Sequence, residues 1–547
     1  MNVYNPYSEE RQHYVAEINT LIEHCHFPEA IAACKHILGQ TMFNMEDGED
    51  RYFHAEIVGL LVDAGSLGRS RNAVEQAIRS METYEKQYRA VIAEGSYWYN
   101  LANGYSALSD LEFPTSPHFL RLDADIVKGS LFKAKSIYFS AYKALKNKED
   151  GELYVQCLVN LANHLSRNHR IIEALQWFDI ASRQMPGYPY TLYNRAEKLE
   201  FLSTLLGSYS VNMRYQIAKN YKEALKHLDF LTPELRQTTF KKLDYYTEWL
   251  HNKGYTEKLF GKEEDETLLE SKNHTPYRQF CLKHYLSLNE HALYCGCAAS
   301  ATDNLQITCE VRAIGGDFVP QMSALLNRIK AEFCFARNLF YQAEKRDRYE
   351  DNEEDKEIDY AELCDDALLS TRIEMMRTSY RLSYGVLDKI AIGICTLFKA
   401  ENKEVGFDNF WKKRGQEKRW SLLCEKSEQN PWLLPLYSIA YDLNTNSQSS
   451  GAWKNLKELR NGLEHGFVSV VEGLPPTDVF GIYKDSNFIS FVISEQEFRD
   501  QTLYLLQLCR AAIFYFTFCV RREGELLVLE DDSSKHGVMT LQKKTFL

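Results

Sequence analysis

The strongest constraint on the fold is a spacing of small and aromatic residues that recurs through the first half of the chain. Trp98, Leu101, Ala102 and Tyr105 form a W-x2-L-A-x2-Y pattern, and Ala134, Tyr138 and Ala141 supply the facing pattern of a second helix. The stretch from Phe113 to Asp125 between them reads as an insertion. The next unit is cleaner: Leu161, Ala162 and Leu165 are followed by Ala174, Phe178, Ala181 and Pro186. Small residues let two helices approach closely, an aromatic ring fills the groove between them, and proline stops the second helix. Weaker echoes occur at Ala30, Cys34 and Ile37, at Ala73 and Ala77, and at Ala224, Leu228 and Leu231. Such a pattern predicts stacked helix pairs that present a concave binding surface; it implies recognition, not chemistry.

This spacing resembles the tetratricopeptide repeat over roughly residues 10–250. Residues 1–260 are therefore expected to form a TPR-like helical solenoid. A generic antiparallel helical array is the competing reading, and both give the same kind of surface. The expected occupant is a protein or peptide trigger.

A chain of 547 residues suggests about two to four domains. Its 45% hydrophobic content supports sizeable cores, and 27 Gly and 13 Pro are few enough breakers to favour helices. The net charge of −12 argues against a generally basic nucleic-acid coat and leaves room for a local basic groove. The 13 cysteines are scattered, and the polar segment Met1 to Gln12 lacks an apolar signal core, so reduced thiols and a cytoplasmic location are expected. The most membrane-like stretch, Leu503 to Val520, is interrupted by Gln507 and Arg510. Its uninterrupted part, Ala511 to Val520, is too short to span a bilayer, so a buried core helix and no membrane partner are expected.

Residues 261–319 read as a connecting module, with a solvated turn at 262–266, a helix from Tyr277 to Ala298 and a short strand from Leu305 to Arg312. Cys281, His284, His291, Cys295 and Cys297 offer thiolate and imidazole donors of the kind that hold zinc. Their spacing matches no familiar finger and no second C-x2-C closes the set, so buried or surface roles are expected, with no metal and no cofactor.

From residue 320 the pattern becomes one of long helices. Leu325, Ile329, Phe333, Ala336 and Phe340 form an apolar stripe over Gln321 to Ala343. A charged run from Glu344 to Asp359 reads as a loop or solvated helix end. A second long helix is expected from Ala361 to Phe398, buried through Val386, Leu387, Ile390, Ile394 and Leu397, and a further helical stretch covers Ala452 to Glu464. Val479 to Tyr483 and Phe488 to Ile493 predict a β-hairpin turning at Lys484 to Asn487. Ser494 and Glu497 form a capping box that opens a final helix to about Arg521, and residues 526–547 are left as a tail. The fold class expected is mainly all-α: a solenoid followed by a helical bundle with a small β-hairpin insertion.

The sharpest motif is Arg460-Asn461-Gly462-Leu463-Glu464-His465, an R-N-x3-H sequence closing the stretch Ala452 to Glu464. In this four-helix context it resembles the R-x4-6-H signature of the HEPN superfamily, small helical domains found in toxins and RNA-processing enzymes. The resemblance covers roughly residues 320–525, with Tyr380 to Ala391 resembling the second HEPN helix. It implies a metal-independent endoribonuclease in which His465 transfers protons, Arg460 binds phosphate and Asn461 positions it, acting on tRNA or mRNA. It also implies a homodimer through this domain, and the fusion to a repeat domain resembles prokaryotic toxin and antiviral defence effectors. The chemistry suits the residues. RNA carries its own 2′-hydroxyl nucleophile, histidine titrates near neutrality, and arginine is a fixed cationic fork matched to phosphate oxygens. HEPN toxins neutralised by AMP attachment often carry tyrosine two residues after the histidine; here that position is Phe467, so control is expected from the repeats instead.

In a regular helix Asn461 and His465 share a face, whereas Arg460 and His465 lie about 140° apart. Convergence on one phosphate then needs long side chains, a distortion near Gly462 or Gly466, or a second subunit. The competing reading pairs Arg460 with Glu464 as a surface ion pair and leaves His465 as a helix-end residue favoured by the macrodipole. Asp388 is a supporting candidate to orient Arg460 or His465, with a salt bridge to Lys389 as its alternative. Trp411, Lys412, Lys413, Arg414, Lys418, Arg419 and Trp420 interleave aromatics with cations, as RNA-binding surfaces do; the alternative is a solvated loop anchored by tryptophans. The competing functions are a non-catalytic scaffold that binds a peptide and dimerises, and an RNA-binding regulator that does not cut.

Overall fold

The structure is a computed structural model that describes residues 8–40, 43–113, 120–146, 151–207, 210–255, 273–308, 310–312, 318–346, 353–361, 366–400, 405–409, 411, 417–445, 451–473, 491–530 and 536–538. These residues are mainly α-helical and divide into two compact units, Met1–Lys198 with Glu223–Gln237 and Leu199–Lys222 with Thr238–Leu547.

The first unit is built from α1 (Glu9–Glu23), α2 (Phe27–Gln40), α3 (Gly48–Leu67), α4 (Arg71–Thr83), α5 (Glu94–Glu112), α6 (Ser130–Leu145), α7 (Gly151–Arg167) and α8 (Ile171–Gln184). Each helix packs on the next in sequence, and α1, α3 and α5 also touch the next but one, an arrangement consistent with a helical repeat. The small-residue pattern is the reason for the close approach. Ala102, Ala134 and Ala141 are fully buried where α5 meets α6, and Ala162, Ala174, Phe178 and Ala181 are fully buried where α7 meets α8. Two aromatic side chains inside the stack are paired: Tyr138 Oη donates to Asn103 Oδ1 at 2.8 Å, and His164 Nε2 lies 2.7 Å from the Leu131 carbonyl. Three further helices follow, α9 (Pro189–Leu206), α10 (Val211–Ala224) and α11 (Pro233–His251). The charged turn expected at 262–266 lies outside the described residues.

In the second unit, α12 (Pro276–Lys283) is much shorter than the helix expected over 277–298. Tyr285 adopts a left-handed φ of 57°, and the Leu286 N–H turns back to the Cys281 carbonyl at 2.7 Å, a closure that ends the helix. The segment beyond it is irregular but tightly bonded. Arg278 Nη1 and Arg337 Nη2 donate to the two oxygens of Asp303 at 2.8 and 2.7 Å, and the Leu288 N–H reaches Asp303 Oδ1 at 2.7 Å. Arg337 also donates to the Leu286 carbonyl at 2.6 Å, and Arg510 Nε donates to the Ser287 carbonyl at 3.0 Å. Burial alone raises a carboxyl pKa, but at Asp303 the Arg337 and Arg278 guanidiniums outweigh it and hold the group far below the usual carboxylate range.

Arg337 and Arg510 come from a helical bundle. Helices α13 (Val319–Lys345) and α14 (Thr371–Leu397) pack on each other, followed by α15 (Glu417–Ser427), α16 (Leu433–Asp442), α17 (Lys454–His465) and α18 (Glu495–Glu530). Helix α18 packs against α13, α14 and α16. A Cβ at Gly393 of α14 would lie 2.7 Å from Leu325 and 2.8 Å from Phe516, so a glycine there lets three helices close on one another. Helix α18 is long and apolar enough to cross a membrane, yet its apolar stretch is 89% buried within this fold. It is the core helix that the interruptions at Gln507 and Arg510 led us to expect.

Helix α14 begins ten residues later than its apolar stripe suggested. Ser370 Oγ caps it by accepting from the Ile373 N–H, and the preceding Leu368 N–H is bonded to the Val470 carbonyl at 2.8 Å. Extended backbone there belongs to a small sheet in which β2 (Val468–Val471) pairs in parallel with β3 (Phe491–Ser494). The strand β3 matches the second expected strand in part; Val479 to Tyr483 lie outside the described residues. Ser494 Oγ accepts from the Glu497 N–H at 3.2 Å and caps α18, as its sequence predicts. A second strand pair joins β1 (Glu310–Arg312), within the expected Leu305 to Arg312 strand, to β4 (His536–Val538) in antiparallel register.

Candidate functional site

The R-N-x3-H motif forms the last turns of α17. Leu456, Leu459 and Gly462 bury one stripe of this helix, and Tyr380 Oη of α14 donates to the Leu456 carbonyl at 2.7 Å. That anchorage places Arg460 over the ring of Tyr384, with the guanidinium carbon 5.4 Å from the centroid. Arg460 Nη1 also donates to Asn461 Oδ1 at 3.2 Å. The ion pair between Arg460 and Glu464 does not form among the described residues: Glu464 is exposed, and Arg460 leans on Tyr384 instead.

Arg460 is half-buried, whereas Asn461 and His465 are exposed. The His465 ring makes no hydrogen bond to a described residue. The two motif side chains therefore diverge, as the helical offset predicts: Arg460 lies against the bundle while His465 is exposed. Beside it Phe467 is 58% exposed, and Leu369, on the extended segment that flanks β2, is 51% exposed.

Asp388 accepts the Phe407 N–H at 2.9 Å. Burial raises its pKa, and the nearby Arg460 charge opposes that shift. It makes no hydrogen bond or ion pair with Arg460 or His465 among the described residues, and the influence between it and Arg460 is that of charge alone. The alternative pairing with Lys389 is not realised, because Lys389 reaches Glu332 at 2.8 Å.

Three residues at this site were not singled out in the sequence. Tyr384 is buried, and its hydroxyl has no hydrogen-bond partner among the described residues. Burial, with Asp408 and Asp388 nearby, raises its pKa well above the usual phenol value, so it remains protonated. Asp408 is paired with Lys457 of α17. The available signal was that Tyr384 precedes Asp388 by one helical turn and so shares its face.

The Trp/Lys/Arg segment requires a correction. Trp411 is 1% exposed and Arg419 4% exposed, so neither is presented to a nucleic-acid base. Trp411 and Trp420 both pack on Tyr437, at 5.3 and 5.2 Å between ring centroids, because burying these large apolar rings outweighs leaving them exposed. This is the anchoring role of the alternative reading. Lys418 lies in α15, and Lys412, Lys413 and Arg414 lie outside the described residues.

The five cysteine and histidine candidates separate. Cys281 is buried in α12, and His284 packs on Phe280 at 4.4 Å between ring centroids. His291, Cys295 and Cys297 come together. In the first unit a groove of about 470 Å³ has a mixed lining, with Asn103, Asn160 and Arg167 among its polar residues and Ile22, Val62 and Leu67 among its apolar ones.

Residues 315–523 match the family model described as LA2681-like HEPN. No curated protein matches the chain.

Proposed function

We propose that residues 315–523, an LA2681-like HEPN domain, act as a metal-independent endoribonuclease. Proteins of this superfamily are generally nuclease-like, bind RNA and dimerise. The observation that carries the reading is the arrangement of the motif itself. A cation is fixed against the domain by Tyr384, and an exposed imidazole stands on the same helix with no hydrogen bond to a described residue.

In the proposed reaction the 2′-hydroxyl of RNA attacks the adjacent phosphorus, and the bond to the 5′-oxygen breaks. A histidine removes the 2′ proton or returns a proton to the departing 5′-oxygen. Arg460 balances charge on the phosphoryl oxygens, and Asn461 orients them. The products are a 2′,3′-cyclic phosphate and a 5′-hydroxyl. Because Arg460 and His465 diverge within one chain, a second copy supplies the complementary set, and the exposed apolar Phe467 and Leu369 are the contacts proposed for it. The substrate proposed is tRNA or mRNA in the cytoplasm. The helical repeat receives a protein or peptide trigger on its groove of mixed polar and apolar lining and controls a toxin or antiviral defence effector.

The test is cleavage of total RNA by the full chain without added Mg²⁺, with the product ends analysed. Cyclic-phosphate ends support the reading. Intact RNA across candidate triggers removes it and leaves the scaffold. Phe467→Glu should shift the protein to monomer in light scattering and lower cleavage at limiting protein concentration by about tenfold or more, because a charge in a buried contact costs over 1.4 kcal/mol. A variant that remains dimeric excludes this face as the interface.

A further inference from the structure

We propose that His291, Cys295 and Cys297 form a zinc site in the segment that joins the repeats to the HEPN domain. The ligand atoms of the three residues lie within 4.8 Å of one another, and all three residues are half-buried. His291 Nε2 stands 2.9 Å from Cys297 Sγ. Zinc bonds of about 2.0–2.3 Å place tetrahedral ligand atoms roughly 3.5–3.8 Å apart, so small side-chain rotations bring the set into register.

The loop is built to hold this geometry. Asn289 is fully buried; its amide donates to the Ala299 and Thr302 carbonyls at 3.0 and 2.6 Å, and its oxygen accepts the His291 N–H at 2.9 Å. His274 Nε2 lies 3.0 Å from the carbonyl of Gly296, the residue between the two cysteines. Ser300 donates through its backbone and its hydroxyl to the Cys297 carbonyl, the hydroxyl at 2.7 Å. The backbone is thus fixed before a metal arrives, which removes much of the ordering cost of binding.

Two thiolates and one imidazole suit zinc over harder cations such as magnesium or calcium. Binding exchanges two thiol protons for one Zn²⁺, leaving a neutral centre whose fourth position a water can take. This site lies outside the R-N-x3-H motif, and its role is to staple the loop, so it does not depend on the nuclease reading.

The test uses the full chain purified under reducing conditions. Wild type and Cys25→Ser, whose cysteine is exposed in α1's trailing turn, should each bind one zinc equivalent, show a thiolate-to-metal charge-transfer band with Co²⁺, and release about two protons per zinc bound. His291→Ala and Cys297→Ser should lose the band while retaining the far-ultraviolet helical signal. Absence of the band in wild type, or its persistence in both variants, overturns the site. If Cys297→Ser fails to fold, His291→Ala and the wild-type proton release decide the matter.

Discussion

Replacing His465 with alanine should lower RNA cleavage by about 10²–10⁴-fold, the usual contribution of a positioned proton-transfer group. The fold should be almost indifferent to the change. The side chain is exposed at the end of α17 and makes no hydrogen bond to a described residue, so the stability cost should stay within about 0.5 kcal/mol. Arg460→Ala is a less clean experiment, since it also removes the contact with Tyr384. His465→Ala, with its melting temperature and oligomeric state measured alongside single-turnover cleavage, separates chemistry from structure. An unchanged cleavage rate would remove His465 from the mechanism.

The largest stability effect should come from Asp303→Ala. This carboxylate neutralises Arg278 and Arg337, whose side chains are 8% and 3% exposed, and its loss leaves two guanidiniums facing each other in a desolvated space. Breaking a buried pair of this kind costs about 3–5 kcal/mol. The same group gives the protein a pH dependence of known sign. Its folded pKa is depressed below the ordinary 3.8, so its stabilisation is complete above that ordinary value and is lost as pH falls below it through the depressed folded pKa. Urea unfolding of the second unit should therefore shift to lower concentration in Asp303→Ala at pH 7. The difference from wild type should narrow in strong acid. Equal midpoints at pH 7 would refute the pairing's contribution.

Where physical periodicity governed the fold, the sequence was readable. Alanines and aromatics at helical spacing marked the packed faces of α5 to α8, and Ser494 announced the start of α18. The start of α14 was misplaced because apolar residues before Thr371 serve extended backbone beside β2, which looks no different from helix in an apolar stripe. The short pairings of β1 with β4 and of β2 with β3 leave too few residues to establish a period, and their partners are distant in sequence. At the site, Arg460, Asn461 and His465 were visible as a motif. Tyr384 was not, because an aromatic on a buried helix face is ordinarily core. The opposite error occurred at Trp411, where neighbouring cations suggested a nucleic-acid surface and the ring in fact fills an interior space against Tyr437.

The Asp303 network also separates two meanings of a domain boundary. The family match begins at residue 315, yet Asp303, Ser287 and Leu286 lie before it and accept hydrogen bonds from Arg337 and Arg510 within it. The stretch that marks kinship is therefore smaller than the stretch that must travel together. A gene fusion that carried only the matched region into a new protein would inherit buried Arg337 without its counter-ion Asp303 and buried Arg510 without the Ser287 carbonyl. Modular reuse of this bundle has to begin upstream, near Pro276 where α12 starts.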